Sequence, residues 1–199
     1  MGENLDDEIR QIVQRVLMQS MGLSQPDNGP SKAPVQPEAP PKPETKPASR
    51  KVVALGADHG GYEMKEMLKA DLAVQGYEVI DAGTYSKEAV DYPDFAHEVA
   101  KLVSTGKAWR GIAIDGAGIG SCIVANKVPG IRAGMAYDYS SAVNSREHND
   151  CNVLTLGAGL IGANLAKQIV TVWLATPFGG GRHEKRVNKI TAVEKQYLK

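Results

Sequence analysis

The sequence predicts an α/β fold built on a parallel sheet, and three observations carry that prediction. From Lys51 onward, short apolar runs alternate with segments of helical spacing. The stretches between successive runs are roughly 8 to 15 residues of helical pattern, the length of a crossover that returns the chain to a parallel neighbour. Polar and glycine-rich residues gather where the runs end, which is where open parallel sheets bind ligands. Together these describe a Rossmann-like three-layer sandwich over residues 51–199, with an amphipathic N-terminal helix tethered to it.

In chain order, "KVVALGAD" (51–58) is an apolar strand ending in polar residues, and "GYEMKEMLKADLAVQG" (61–76) is a helix closed by Gly76. "YEVIDAG" (77–83) is a second strand, followed by a helix from about Phe95 to Ser104. The strand "GIAIDG" (111–116) leads to a helix beginning near Gly120, and "IRAGMAY" (131–137) to the helix "SSAVNSREHN" (140–149). The last strand is "NVLTLGAG" (152–159), with a long helix from Gly162 to Leu174 behind it.

Composition narrows the function. The 199 residues carry 23 basic and 23 acidic side chains, so bulk charge offers no footprint for nucleic acid or an anionic membrane, and phosphate recognition must be local. Cys122 and Cys151 have no metal-ligand spacing and do not form a disulfide framework, which fits a reducing cytoplasm. No apolar run has the length of a membrane span, and a secretory signal pattern is missing from the start of the sequence.

Residues 5–18, "LDDEIRQIVQRVLM", place Leu5, Ile9, Ile12, Val13, Val16 and Leu17 on one helical face, giving an expected docking helix over residues 1–19. Eight of the eleven prolines then fall between Pro26 and Pro47, so residues 20–50 read as an extended tether with too little apolar surface to fold. A helix this short is marginal alone in water, and its apolar stripe implies a partner. Folding back onto the main domain and pairing as a coiled-coil stub are the other arrangements. The segment resembles the encapsulation peptides that direct enzymes into bacterial microcompartments, which implies docking on a shell or assembly protein.

Asp115 stands at the lip of the turn Gly116, Ala117, Gly118, Ile119, Gly120. This GxGxG follows the third strand, whereas a dinucleotide fingerprint needs GxGxxG after the first. Its unobstructed N–H groups at a helix start suit an oxyanion or phosphate, such as an enediolate. Arg182 and Arg186, four apart after three glycines, share a helical face and can converge on one anion, although an isolated RxxxR is also what a solvated basic face looks like. Asp58, His59, His148 and Asn149 lie in polar or glycine-flanked runs, and none of the four histidines has HxH, HxxxH or HExxH spacing, so neither a metal nor another cofactor is expected.

The ordered set "GADHGGYEMK", "DYPDFA", "GAGIGSCIVANKVPGIRA", "SREHNDCNVLTLG" and "GGGRHEKRVNKI" resembles the B-type ribose-5-phosphate isomerases, within the wider family that includes galactose-6-phosphate isomerase subunits. The resemblance covers residues 51–198 and implies a metal-free aldose–ketose isomerase of a phosphorylated pentose. It assigns ring opening to His148 with Asn149 beside it, and sugar hydroxyl binding or help in ring opening to Asp58. It places Tyr92 in the pocket wall, and His59, Arg182 and Arg186 on the phosphate. The loop Gly116–Gly120 would stabilise the oxyanion. It also implies a homodimer or a dimer of dimers, with active sites drawn from two subunits.

The sequence departs from that family at its opening residue. Many relatives carry a cysteine base where Asp115 stands and a threonine or serine where Ala117 stands. Others place a glutamate further along the loop, where this chain has Ile119, Gly120 and Ser121. Asp115 is therefore the expected base, its carboxyl raised from a reference near 3.9 by burial behind the apolar strand. A non-catalytic sugar-phosphate-binding or scaffold protein, and an isomerase of another sugar phosphate such as a hexose 6-phosphate, are the alternatives.

Overall fold

A computed structural model describes residues 51–197. The expected docking helix (1–19) and the proline-rich tether (20–50) fall before Lys51 and lie outside the described residues.

Five strands form one parallel sheet in the order β2-β1-β3-β5-β4: β1 (Val52–Ala57), β2 (Glu78–Asp81), β3 (Arg110–Asp115), β4 (Ala133–Met135) and β5 (Val153–Gly157). Among the described residues there are six helices: α1 (Tyr62–Val74), α2 (Tyr92–Ser104), α3 (Ile119–Ala125), α4 (Tyr139–Glu147), α5 (Ala163–Ala175) and α6 (Arg182–Tyr197). The period-2 alternation of strand side chains sorts the core into two layers. Val53, Leu55, Ile112, Ile114, Leu154 and Leu156 meet Leu68 and Leu72 of α1, Ala142 of α4 and Ile169, Val170 and Trp173 of α5. Ala54, Ala113 and Val153 face the other way, against Val99, Ala100 and Val103 of α2 and Ala125 of α3. The central strands are therefore covered on both faces, which is why they read as continuous apolar runs.

Of the boundaries that differ from the sequence reading, two have identifiable reasons. α2 begins at Tyr92, before the expected Phe95, because Pro93 sits in its first turn, where a missing N–H costs nothing. β4 is three residues long where seven were expected. The Asn126 side chain replaces a neighbouring strand at its start, accepting from the Ala133 N–H at 2.9 Å and donating to the Ala133 carbonyl at 3.0 Å.

β2 and β3 lie on opposite sides of β1, so the chain reverses its direction of travel across the sheet at the β1–β3 boundary. The crevice beyond the carboxyl ends of those two strands is the switch point where such sheets bind ligands.

Candidate active site

Asp58 follows β1 and Asp115 ends β3, so the fold delivers both carboxylates to the switch point, each at most 8% exposed. Asp58 Oδ1 accepts from the Gly61 N–H at 3.0 Å, at the start of α1. His59 beside it is exposed, with Nδ1 3.2 Å from both the N–H and the carbonyl of Val90.

The loop carrying Val90 is anchored by a buried cation. Lys65 Nζ, fully buried, bonds both oxygens of Asp81 at 2.8 and 2.7 Å, and Asp81 also accepts from the Gly83 N–H at 3.0 Å. Burial works to raise the Asp81 carboxyl, but Lys65, Lys69 and the Gly83 amide outweigh it and hold it below its ordinary value. A buried, paired charge of this kind fixes the β2 end and the residues after it, at the cost of desolvating both ions. Nothing in the helical pattern of 61–76 set Lys65 apart from its neighbour Lys69.

Asp115 does something different from what its position suggested. Its Oδ1 accepts from the N–H groups of Ala117, at 2.8 Å, and Gly118, while Oδ2 accepts from the Ser121 N–H at 2.9 Å. Burial favours the neutral acid, yet the Ser121 hydroxyl and these three amides outweigh it and hold the carboxyl below its ordinary value. The expected upward shift is therefore corrected: burial came with donors, and the donors win. Gly118, at φ +78°, caps α3 in the left-handed conformation, and a Cβ there would meet the Leu156 carbonyl carbon at 2.9 Å.

With Ala117 and Gly118 turned inward, the loop amides without an acceptor among the described residues are those of Gly116, Ile119 and Gly120. Tyr92 closes over them: a Cβ on Gly120 would lie 2.5 Å from its ring. Tyr137, at the end of β4, donates to the Ala117 carbonyl at 3.4 Å.

The remaining predicted residues lie elsewhere. α4 runs back from the carboxyl edge, so its C-cap His148 and the following Asn149 reach the amino edge of the sheet. Arg146 holds that turn through Asp150 at 2.9 Å and the Cys151 carbonyl, and Arg132 holds Asp150 at 2.7 Å. The Gly179 N–H donates to the Glu147 carbonyl at 2.9 Å, bringing the start of α6 to the same edge. Arg182 and Arg186 are exposed one turn apart on α6, and His183 between them stacks on His148 with ring centroids 4.1 Å apart. Asp58, His59, Tyr92, Asp115 and Gly116–Gly120 thus assemble at one edge of a single chain, and His148, Asn149, Arg182 and Arg186 at the other.

Both cysteines are free, and burial pushes their thiols up, Cys151 to about 11, so neither is an activated nucleophile. Among the described residues no group of three His, Cys, Asp or Glu side chains could hold a metal ion, and no helix is long and apolar enough to cross a membrane.

A parallel α/β sandwich with two buried carboxylates and a glycine-rich loop at its switch point defines a small-molecule enzyme of the Rossmann-like class. Residues 53–190 match the Ribose/Galactose Isomerase family, and the chain belongs to that family. It is 47% identical over 146 residues to ribose-5-phosphate isomerase B of Escherichia coli (strain K12), covering 73% of this chain and 98% of that protein. It is 41% identical over 148 residues to a D-erythrulose-4-phosphate isomerase of Pectobacterium atrosepticum, covering 72% and 95%. The solved ribose-5-phosphate isomerase B of Clostridium thermocellum superposes with a TM-score of 0.73 at 51% identity, covering 73% of this chain and 99% of that one.

Proposed function

We propose that the protein is an aldose–ketose isomerase that interconverts ribose 5-phosphate and ribulose 5-phosphate through an enediolate. The observation that carries this reading is the meeting, at the β1–β3 switch point, of the Asp58 carboxylate with the free amides of Gly116, Ile119 and Gly120. A base there removes the C2 proton, the C1 carbonyl oxygen becomes anionic against the amides, the proton returns to C1, and the C2 hydroxyl becomes the ketone as its own proton passes to O1.

Asp58 is our assignment for that base. Asp115 is committed to four donors and is a weak base, so we reassign it from proton transfer to holding the loop. Asp58 spends one bond on Gly61 and keeps its other oxygen for the sugar. Tyr92 walls the pocket, and His148, with Asn149 beside it, opens the furanose ring. His59, Arg182 and Arg186 take the phosphate, the arginines by the paired donors that suit it.

The separation of these residues between two sheet edges supports a homodimeric site, each chain's amino edge completing the other's carboxyl edge. Exposed Ile119 and Ile123 on α3, with Ile190 and Val193 on α6, supply apolar surface for such a two-fold contact. The N-terminal helix docks this enzyme, from the cytoplasm, on the shell or an assembly protein of a bacterial microcompartment. The test is a coupled assay of the purified full chain on ribose 5-phosphate, a tetrose 4-phosphate and galactose 6-phosphate. Turnover of none of them leaves the binding-protein reading, and preference for the four- or six-carbon sugar moves the assignment within the family.

A further inference from the structure

His183 is buried, 9% exposed, and its two ring nitrogens have unequal surroundings. Nε2 lies 3.3 Å from Nε of Arg182, a group that only donates, so Nε2 accepts and the ring proton sits on Nδ1. Nδ1 is itself buried and finds no partner among the described residues. A second proton would turn an N–H toward the guanidinium N–H and add a cation beside Arg182 and Arg186 of α6, with Glu147 of α4 the acid that faces it among the described residues. Burial first, then His148, Arg182 and Arg186, hold its protonation below the ordinary range of imidazole. His183 is therefore a neutral ring of fixed tautomer. Its face lies on that of His148, interplanar angle 4°, while Asn144 bonds His148 Nδ1 at 2.7 Å and leaves the Nε2 edge of His148 for a ligand.

We propose that His183 is a positioning residue for His148, a pinned and uncharged imidazole whose flat face sets the plane in which His148 presents Nε2 to the sugar ring. This rests on the reading of His148 as the ring-opening group. It joins the phosphate arm to the acid–base group, because the Arg182 side chain that takes phosphate also holds His183.

Sugar chemistry separates this role from a general one. Ribose 5-phosphate closes to a furanose that must be opened, whereas ribulose 5-phosphate, with O5 esterified, has no ring to open. His183→Ala is expected to lower kcat on ribose 5-phosphate about 10–100-fold with KM within about twofold, and kcat/KM on ribulose 5-phosphate by the same factor, as the fixed equilibrium requires. Exchange of the ribulose 5-phosphate C1 hydrogen with D2O, which stops at the enediolate and meets no ring, should change by less than about threefold. His183→Phe, which keeps a flat ring, should stay within about fivefold of the parent in both directions. Unchanged rates in His183→Ala, a loss of C1 exchange as large as the loss of turnover, or a His183→Phe loss as large as that of His183→Ala each overturn the proposal.

Imidazole 15N NMR of the full chain gives a readout independent of turnover. It should show His183 neutral with its proton on Nδ1 at pH 7 and pH 6, and a changed His148 signal in His183→Ala. A charged or Nε2-protonated His183 at pH 7, or an unmoved His148 signal, rejects it. Should His148→Asn keep full activity on ribose 5-phosphate, the ring-opening assignment fails while the NMR result stands on its own.

Discussion

The Ser121 N–H donates to Asp115 Oδ2 at 2.9 Å, so the carboxylate at the end of β3 binds the first turn of α3 back onto its own strand. Replacing it by the isosteric amide leaves an NH2 group facing a backbone N–H, and buried donors without acceptors cost about 1–3 kcal/mol each. Asp115→Asn is therefore expected to lower the urea midpoint by the equivalent of roughly 2–3 kcal/mol, with m unchanged. The folded carboxyl lies below its ordinary 3.8, so its contribution is complete above that pH and fades as pH falls through the folded value. The variant should accordingly show a shallower loss of stability on acidification below about pH 4. An unchanged midpoint at neutral pH rules out the anchoring role.

The fold was legible because its signals are local: apolar runs, crossover lengths and turn residues each fixed one element of the sandwich. Strand order carries no such signal, since β4 passing beyond β5 depends on which edges pair in space. The candidate residues were legible by type and motif, as Asp58, Tyr92 and Gly116–Gly120 show. What the sequence hid was direction. Asp115 at a strand end gives no sign that its oxygens turn to Ala117, Gly118 and Ser121 rather than outward. Lys65 and His183 act through three-dimensional partners, Asp81 and His148, that no spacing rule connects to them.

Asp58→Asn removes the assigned base and keeps its shape and its bond from Gly61. Turnover of ribose 5-phosphate should fall about 10²–10⁴-fold, with substrate affinity changed much less. If Asp58→Asn stays within tenfold of the parent while Asp115→Asn, still folded, loses activity entirely, the two carboxylates exchange roles.

Gly120 lies under the Tyr92 ring with no room for a methyl group. Gly120→Ala must displace the ring from the pocket wall, and misplacements of about 1 Å near reacting atoms cost up to 10²-fold. We expect kcat/KM to drop at least about tenfold, with Gly120→Ala/Tyr92→Ala no worse than Tyr92→Ala alone. Independent, additive losses would show that Gly120 and Tyr92 do not act through this contact.

The two-chain site can be tested by complementation. Arg182→Ala should weaken substrate binding by about 1.5–3 kcal/mol, the value of a charge-assisted hydrogen bond. Asp58→Asn and Arg182→Ala chains, each nearly inactive at low substrate, should regain activity when unfolded and refolded together. One site of each mixed dimer then unites an intact Asp58 from one chain with an intact Arg182 from the other. Random pairing puts recovery at about one quarter of the parent's activity. No recovery in a mixture shown to contain mixed dimers would place all the catalytic groups within one chain.

The last prediction concerns the segment that precedes the sandwich. Residues 53–190 match the family on their own, and 146 residues of this chain cover 98% of the Escherichia coli relative. Removal of residues 1–48 should therefore leave kcat and KM on ribose 5-phosphate within about twofold, since none of the assigned groups lies there. The apolar stripe Leu5, Ile9, Ile12, Val13, Val16 and Leu17 is the surface expected to bind a shell protein, and a helix-in-groove contact fails when charge enters its centre. Ile12→Glu/Val16→Glu in the full chain should then abolish co-sedimentation with assembled microcompartment shells as completely as the deletion does, with turnover intact. A truncated chain that loses activity or precipitates would instead make the helix part of the folded enzyme, and the docking role would be withdrawn.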